Sequence, residues 1–377
     1  MAEKLFLLVP SLTIGGQEKA VVDTAKLMQD RYDVTIILFH RHEAEYEAPC
    51  NVVCLDVGAN TSAIKRIFAQ IRRTLKFISI CRKEKPHIVY SFGESANLTN
   101  ILSGFFTKGK RIVAIHGFAS VYKSLINRTV FKHSDAIICI SQAMQSKLLE
   151  LYPKIKHSVV IENGYDIERI RELSLAPAEV SNGSPKFVAM GRLEEVKAFH
   201  RALNAFAEIT KVLPEATLTL VGSGTQEAKL KSLCESLCLN DRVVFAGFQK
   251  NPYAFLSKSD IFLLCSYSEG FPNALVEAMA CGTACVCVDC QTGPREILAK
   301  TYTPAPIQGV VNEEYGILVQ QDSNDAVVEK FLAEAMLRMG SNADTLHTYK
   351  TRSRQRATAF TGEIYKNKLL SLFEREL

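Results

Sequence analysis

No stretch of this sequence is long and apolar enough to cross a membrane; its opening run, Leu5 to Val9, ends at Pro10 after five residues. The shortness of that run and the acidic Glu3 before it predict a first β-strand, not a secretory signal. Without such a signal, the eleven cysteines do not point to a disulfide framework, and a reducing cytoplasm is the expectation. The net charge of +5 comes without an aromatic platform or recognition motif, which argues against nucleic acid. No repeat relates the two halves of the chain. Two short patterns are missing as well. There is no Asp-x-Asp triplet, and Gly222-x-Gly224 lacks the third glycine of a dinucleotide fingerprint because position 227 is Glu.

What is present is an ordinary globular composition, 47% hydrophobic and 23% charged, with length enough at 377 residues for two or three domains. Short apolar runs alternate with longer amphipathic ones, the pattern of an α/β protein with mostly parallel sheets. Strands are predicted near Leu5–Val9, Val34–Leu38, Val52–Leu55, Ile88–Ser91, Ile112–Ile115, Ala136–Ile140 and Val159–Ile161. A second series follows near Phe187–Met190, Thr217–Val221, Val243–Ala246, Ile261–Leu264, Ala284–Val288 and Gly316–Val319. Pro177 and Ser181-Asn-Gly-Ser-Pro185 between the two series predict an interdomain linker over 166–185. Rossmann-like domains over 1–165 and 186–357 are therefore expected, with helical character from Ala343 to Leu377. Cys281, Cys285, Cys287 and Cys290 invite a metal reading. However, Ala284-Cys-Val-Cys-Val288 reads as a strand whose alternate residues face opposite ways, which opposes one tetrahedral site.

The most informative stretch runs from Ser268 to Gly282, SEGFPNALVEAMACG, directly after a predicted buried strand. Pro272 suits a first helical turn and Gly282 a helix C-cap. Glu269 then lies on the loop and Glu277 about a turn and a half inside the helix. Residues 274–280 are otherwise apolar, so Glu277 is a lone charge on a buried helix and needs partners. Between the two carboxylates, the helix N-terminus offers N–H groups and positive dipole to phosphate. An anion flanked by two hydroxyl-bearing rings is the shape of a nucleotide sugar.

This string resembles the Glu-x7-Glu signature of the retaining, nucleotide-sugar-dependent glycosyltransferases of family 4. Four further landmarks stand in the family's order: Gly15-Gly16-Gln17-Glu18, His116-Gly117, Gly191-Arg192 with Lys197, and Val221-Gly222-Ser223-Gly224. The resemblance implies the GT-B architecture, two Rossmann-like domains facing across a cleft, with a C-terminal segment of about 358–377 returning to the first domain. It also implies the roles. Arg192 and Lys197 would meet the donor diphosphate in place of a metal, Gly15 and Gly16 would approach it, and Gly222 would lie near the nucleotide. Phe248 would lie near the base and Glu277 at the ribose hydroxyls. Glu269, with Gly270, Phe271, Pro272 and Asn273, would hold the sugar, and His116 would contact it. No metal or cofactor is expected beyond the nucleotide-sugar substrate.

The setting resembles bacterial enzymes of lipopolysaccharide, capsule or lipid-linked oligosaccharide synthesis. That favours a UDP-linked hexose or N-acetylhexosamine donor and a membrane-associated acceptor. Two alternatives stay open: a GT-B epimerase acting on a UDP-sugar, and a non-catalytic sugar-nucleotide-binding protein. A tandem Rossmann dehydrogenase would need the full glycine fingerprint.

Charge is distributed unevenly. Residues 1–160 hold 22 Lys and Arg against 13 Asp and Glu, a net +9, while the remainder is net −4. The excess concentrates between Lys65 and Lys85. On a helix, Ile67, Phe68, Ile71, Leu75 and Ile78 share one face and are expected to pack inward. Lys65, Arg66, Arg72, Arg73 and Lys76 then form either a solvated basic side or a surface for anionic lipid headgroups. The second reading places the protein on the cytoplasmic face of the plasma membrane, attached peripherally.

Overall fold

All thirteen apolar runs form strands whose ends lie within two residues of expectation. The computed structural model describes every residue except 1, 14, 43–44, 59–61, 123, 181 and 375–377. The chain divides into two compact units, Met1–Tyr165 with Gly362–Leu377, and Asp166–Thr361.

In the first unit, β1 (Glu3–Val9), β2 (Tyr32–Leu38), β3 (Asn51–Cys54), β4 (Ile88–Phe92), β5 (Lys110–Ile115), β6 (Ala136–Cys139) and β7 (Ser158–Val160) make one parallel sheet. Its order is β3-β2-β1-β4-β5-β6-β7. The helices α1 (Gly16–Met28), α2 (Ala63–Glu84), α3 (Glu94–Gly104), α4 (Leu125–His133) and α5 (Gln142–Leu151) connect the strands. Strand alternation sends Leu5, Leu7 and Val9 of β1 into one core layer with Val21 and Met28 of α1. Phe6 and Leu8 enter the other, with Phe77 and Cys81 of α2. With both faces covered, the strands need near-continuous apolar runs.

The second unit repeats the plan with β8 (Lys186–Met190), β9 (Thr217–Val221), β10 (Val243–Gly247), β11 (Ile261–Leu264), β12 (Ala284–Val288), β13 (Val310–Asn312) and β14 (Ile317–Val319). The order is β10-β9-β8-β11-β12-β14-β13, with β13 antiparallel at the edge. Its helices are α6 (Ile167–Ser174), α7 (Phe199–Ile209), α8 (Glu227–Ser236), α9 (Tyr253–Ser257), α10 (Asn273–Cys281), α11 (Pro294–Leu298), α12 (Asp325–Gly340) and α13 (Ala343–Ala357). The last helix, α14 (Gly362–Phe373), belongs to the first unit, where Tyr365, Leu369, Leu372 and Phe373 enter the β1 core. Strand order reverses between β1 and β4, and again between β8 and β11. Such reversals open a crevice at the carboxyl edge of each sheet.

Two expectations need correction. The stretch read as a linker is helical over α6, which packs on α9 and α10. Asp166 caps it by accepting from the Arg169 N–H, and Ser257 Oγ donates to the Ser174 carbonyl at 2.7 Å. Ser181 of that stretch lies outside the described residues.

The second correction concerns α2. Ile67, Phe68, Ile71 and Leu75 face solvent, and of the five residues expected to pack inward only Ile78 is buried. Arg73 is buried instead. Its guanidinium donates to the Val57 and Gly58 carbonyls at 3.1 and 2.7 Å and lies 4.6 Å from the Phe39 ring centroid. Lys76 Nζ donates to the Leu55 carbonyl at 2.5 Å. The chain leaving β3 presents carbonyls that no strand satisfies, and the helix turns its long donors toward them.

Candidate active site

The carboxyl edge of the second sheet collects the signature residues. Strand β8 ends at Met190, and the chain runs through Gly191 and Arg192 into a short 3-10 turn, Glu195–Lys197. Backbone bonds fasten this loop to its neighbour: Gly191 donates to Val221 at 3.0 Å and Leu193 to Ser223 at 2.9 Å. Glu194 adds a carboxylate that accepts from both the N–H and the hydroxyl of Thr225, at 3.2 and 2.7 Å. A Cβ on Gly222, at φ 137°, would sit 1.9 Å from the Gly191 carbonyl oxygen. A Cβ on Gly224 would meet the Leu193 backbone at 2.5 Å. These glycines serve close approach of the β8 and β9 loops, which explains a Gly-x-Gly without the third glycine.

Lys197 and Glu269 are in contact. The Lys197 ammonium donates to both carboxylate oxygens, at 2.6 and 2.9 Å, and Ser266 Oγ donates to Oε1 at 2.5 Å. The Glu269 side chain is 8% exposed and that of Lys197 24%, so the pair is screened from water on most sides. Thr292 Oγ1 donates to the Glu269 carbonyl, which ties the β12 loop to the β11 loop. Gly293, at φ 94°, lies against Pro272 so closely that a Cβ would meet its ring at 2.2 Å. Phe271 packs edge-on against Phe360 at 5.6 Å. The Glu269–Pro272 loop is thus braced from below and from the side.

Pro272 is the residue before the first turn of α10, not its first helical residue, and Gly282 closes the helix in the left-handed conformation at φ 79°. Leu275 through Cys281 are all buried, and Glu277 among them is 8% exposed. The Tyr253 hydroxyl donates to Glu277 Oε1 at 3.4 Å. Burial, with the Glu277 carboxylate adding to it, pushes the Cys281 thiol up to about 12. Arg192 is exposed, close enough to Glu194 to contribute to holding that carboxyl below its ordinary value, after the hydrogen bonds from Thr225. Phe248 follows the left-handed Gly247 and is 55% exposed. Gly270 and Asn273 are half-buried.

Behind the Lys197 turn lies a network that sequence reasoning missed. The Tyr267 N–H donates to the Val196 carbonyl at 2.9 Å, and its hydroxyl donates to Asp325 Oδ2 at 2.6 Å. Arg201, fully buried, donates to Asp325 Oδ1 at 2.7 Å, with its guanidinium 4.1 Å from the Tyr267 ring centroid. Burial raises the Asp325 carboxyl, but bonds from Tyr267, His200 and Arg201 outweigh it and hold the group at about 2. No local pattern announces this cluster, because Arg201, Tyr267 and Asp325 lie more than fifty residues from one another. Ser266 and Thr292, 3 and 23 residues from Glu269, escaped because a lone Ser or Thr carries no pattern of its own.

The first unit carries the other landmarks at its own carboxyl edge. Gly15 precedes α1 in extended conformation, and Gly16 opens the helix. Gly93, left-handed at φ 91°, faces the Gln17 amide, so the loops after β1 and β4 meet at the strand-order reversal. His116 directly follows β5, stacked on Phe92 at 5.4 Å. Its Nε2 is out of solvent with no hydrogen-bond partner among the described residues, and burial lowers the imidazole to about 4. A neutral ring with an unpaired polar atom is therefore held at this edge. Among the described residues, no three His, Cys, Asp or Glu side chains converge in a way that could hold a metal ion.

Comparison with known proteins gives a consistent answer. Residues 14–169 match the family described as Glycosyltransferase Family 4, and residues 171–337 match Glycosyl transferases group 1. An uncharacterized glycosyltransferase of Methanocaldococcus jannaschii is 27% identical over 90% of this chain and 92% of its own. The N-acetylgalactosamine-N,N'-diacetylbacillosaminyl-diphospho-undecaprenol 4-alpha-N-acetylgalactosaminyltransferase of Campylobacter jejuni is 25% identical over 95% of this chain and 96% of its own. The capsular polysaccharide biosynthesis glycosyltransferase CapM of Staphylococcus aureus is 24% identical over 70% and 71%. Anabaena HepE, solved with UDP and glucose, superposes with a TM-score of 0.75 at 19% identity over 98% of both chains. The lipopolysaccharide outer core galactosyltransferase WaaB, in its apo form, gives a TM-score of 0.75 at 17% identity over 99% and 100%. At these identities the two structures establish the shared fold.

Proposed function

The chain belongs to the family 4-type glycosyltransferases with the GT-B fold, and we propose that it moves a hexose or N-acetylhexosamine from a UDP-sugar to a lipid-linked or lipopolysaccharide-type glycan acceptor. Transfer proceeds with retention at the anomeric carbon and without a metal. The observation that carries this reading is the Lys197–Glu269 pair, held between the β8 and β11 loops beside the first turn of α10.

In the free enzyme the two groups neutralise each other. An arriving diphosphate supplies Lys197 with a new counter-charge, and the α10 N–H groups with acceptors. Glu269 is then released to accept from sugar hydroxyls, while its backbone remains fixed by Thr292. Glu277, anchored on a buried helix, accepts from the ribose hydroxyls, and the exposed Phe248 ring offers the base a stacking face. As the anomeric bond breaks, charge grows on the departing phosphate, where Lys197 and Arg192 stabilise it. The same phosphate takes the acceptor's proton on the face it leaves, which preserves configuration. On the first unit, the edge bearing Gly15, Gly16 and the neutral His116 serves the acceptor.

The relatives' printed names support a surface-glycan role: one acts on a diphospho-undecaprenol substrate, and another belongs to capsule synthesis. No helix among the described residues is long and apolar enough to cross a membrane, which fits peripheral work at the inner face of the plasma membrane. The test is a panel of UDP-sugars with lipid-diphosphate and lipopolysaccharide-core acceptors, read by mass spectrometry. One UDP-sugar should give a glycosylated product and UDP. Binding without transfer or hydrolysis would leave a sugar-nucleotide sensor, and isomerisation of the donor would leave an epimerase.

A further inference from the structure

The polarity of α2 is inverted for a helix lying on a globular body. Toward the protein, its first three turns present Gln70, Arg73 and Thr74. Gln70 donates to Thr99 at 2.8 Å, Arg73 to the Val57 and Gly58 carbonyls, and Thr74 to the Gln70 carbonyl at 3.0 Å. Toward solvent it presents Ile64, Ile67, Phe68, Ile71 and Leu75, exposed by 67, 62, 62, 49 and 61%. An outward row of large apolar side chains over a polar inner face is the reverse of what water selects.

We infer that this outward face of α2 inserts into the headgroup layer of an anionic bilayer, with the first turn of α4 as a second contact. The inference rests on the proposed lipid-linked acceptor and specifies how the enzyme reaches it. Residues 64, 68, 71 and 75 form one helical row about 17 Å long. Lys65 and Arg72 lie in the adjacent row, one residue along, and both are exposed. No acidic residue occurs from Ala63 to Lys83. The apolar row suits acyl chains and the basic row suits anionic headgroups. A second copy of this chain fits poorly, since an isologous contact on this face would bring two basic rows together.

Position supports the same occupant. Helix α2 follows the carboxyl end of β3 and α4 that of β5, and both pack on α3, so they share one side of the sheet. Leu125 and Ile126, in the first turn of α4, are 83 and 51% exposed. Both apolar groups therefore lie toward the sheet edge that carries Gly15, Gly16 and His116, where an acceptor held in the bilayer has to arrive. Attachment combines a screened and an unscreened part. Salt weakens the contribution of the basic row, and the apolar row continues to hold.

The sequence contains no tryptophan, so Phe68→Trp provides a single reporter. With vesicles of phosphatidylglycerol and phosphatidylethanolamine, its emission should shift to the blue and be quenched by brominated acyl chains. Flotation should fall in 1 M salt without being abolished. Replacing Ile64, Phe68, Ile71 and Leu75 together by Ser should lower flotation at least about ten-fold at every salt concentration, with circular dichroism and UDP affinity unchanged. Lys65→Gln with Arg72→Gln should lower it at low salt alone. Unchanged emission of Phe68→Trp on vesicles, or flotation of the serine variant equal to that of the parent, would overturn the inference. So would a dimer by light scattering that the serine variant loses, which would assign the face to a second copy. Failure of the wild-type enzyme to turn over any UDP-sugar, with flotation intact, would count against the proposed reaction and leave this surface standing.

Discussion

The Lys197 ammonium lies 2.6 and 2.9 Å from the two carboxylate oxygens of Glu269, across 72 residues of sequence. Each group thus presets the other's position before substrate arrives. Removing one partner leaves the other poorly solvated, so single and double variants should not add. Lys197→Ala is expected to lower kcat/KM for the UDP-sugar by about 10²–10³-fold, with Lys197→Arg recovering part of it. The double variant with Glu269→Gln should be little worse than the poorer single one. Strict additivity in steady-state UDP release would show that the two groups act separately.

Arg192 and Glu277 should differ in kind. The ribose hydroxyls proposed to meet Glu277 gain no charge during transfer, so on that reading Glu277→Ala removes binding that ground and transition states share. Its main effect should be weaker UDP affinity, about ten-fold or more, with a smaller change in kcat. Arg192 is exposed and, in the proposed role, meets charge that grows as the bond breaks, so Arg192→Ala should lower kcat more than affinity. Titration calorimetry with UDP, beside kinetics, separates the two. A larger affinity loss for the arginine variant would exchange the roles.

The sheets were legible because strands buried on both faces must be apolar throughout. The strand that was overlooked, β13, is three residues long, antiparallel, at the edge and incompletely buried, so Val310-Val-Asn312 carries no pattern. The Glu269 and Glu277 placements were legible too, from a proline, a glycine and a lone charge in an apolar helix. Helix α2 was misread because periodicity gives the apolar stripe but not its direction. What turned it was the set of backbone carbonyls at Leu55, Val57 and Gly58, which no sequence pattern announces. The supports of the site stayed hidden for a related reason. Thr292, Tyr267 and Asp325 act through neighbours distant in sequence, and a lone Ser or Thr, such as Ser266 beside Glu269, has no periodic signal.

Gly222 offers a test of the loop packing that is independent of chemistry. A methyl group there would lie 1.9 Å from the Gly191 carbonyl oxygen, and φ 137° is strained for any residue with a Cβ. Gly222→Ala should cost about 2 kcal/mol or more and displace the loop carrying Arg192. Urea unfolding should show a lower midpoint with an unchanged slope. A variant as stable as the parent would mean that the β8 and β9 loops do not need this contact.

His116 gives a pH signature. Burial lowers its imidazole from the ordinary 6.5 to about 4, so the native state keeps it neutral where an unfolded chain would protonate it. Between those values the unfolded state binds more protons, and stability must fall as pH falls. The contribution is complete above about pH 6.5 and lost by about pH 4. His116→Phe keeps a ring beside Phe92 and removes the titration. Its urea midpoint should therefore drop less than the parent's between pH 7 and 4.5. Equal drops would show that the ring titrates normally.

Turnover is expected to survive removal of divalent metal. A departing nucleoside diphosphate needs positive charge, and enzymes meet that need with a metal held by carboxylates or with side chains. This sequence has no Asp-x-Asp triplet. At the carboxyl edge of the second sheet, it places the half-buried Lys197 and the exposed Arg192 on one loop, beside the N-terminus of α10. A half-buried ammonium is worth more to a phosphate than the same charge in bulk water, because local screening is weaker. After EDTA treatment and desalting, the UDP-sugar turnover rate should stay within about two-fold of the untreated enzyme, and Mg²⁺ or Mn²⁺ should add no more than that. Lys197→Ala should not become metal-activated, because no carboxylate cluster among the described residues is ready to hold the ion. Abolition of activity by EDTA, with recovery on adding Mn²⁺, would mean that the diphosphate brings a metal with it and that Lys197 and Arg192 only assist.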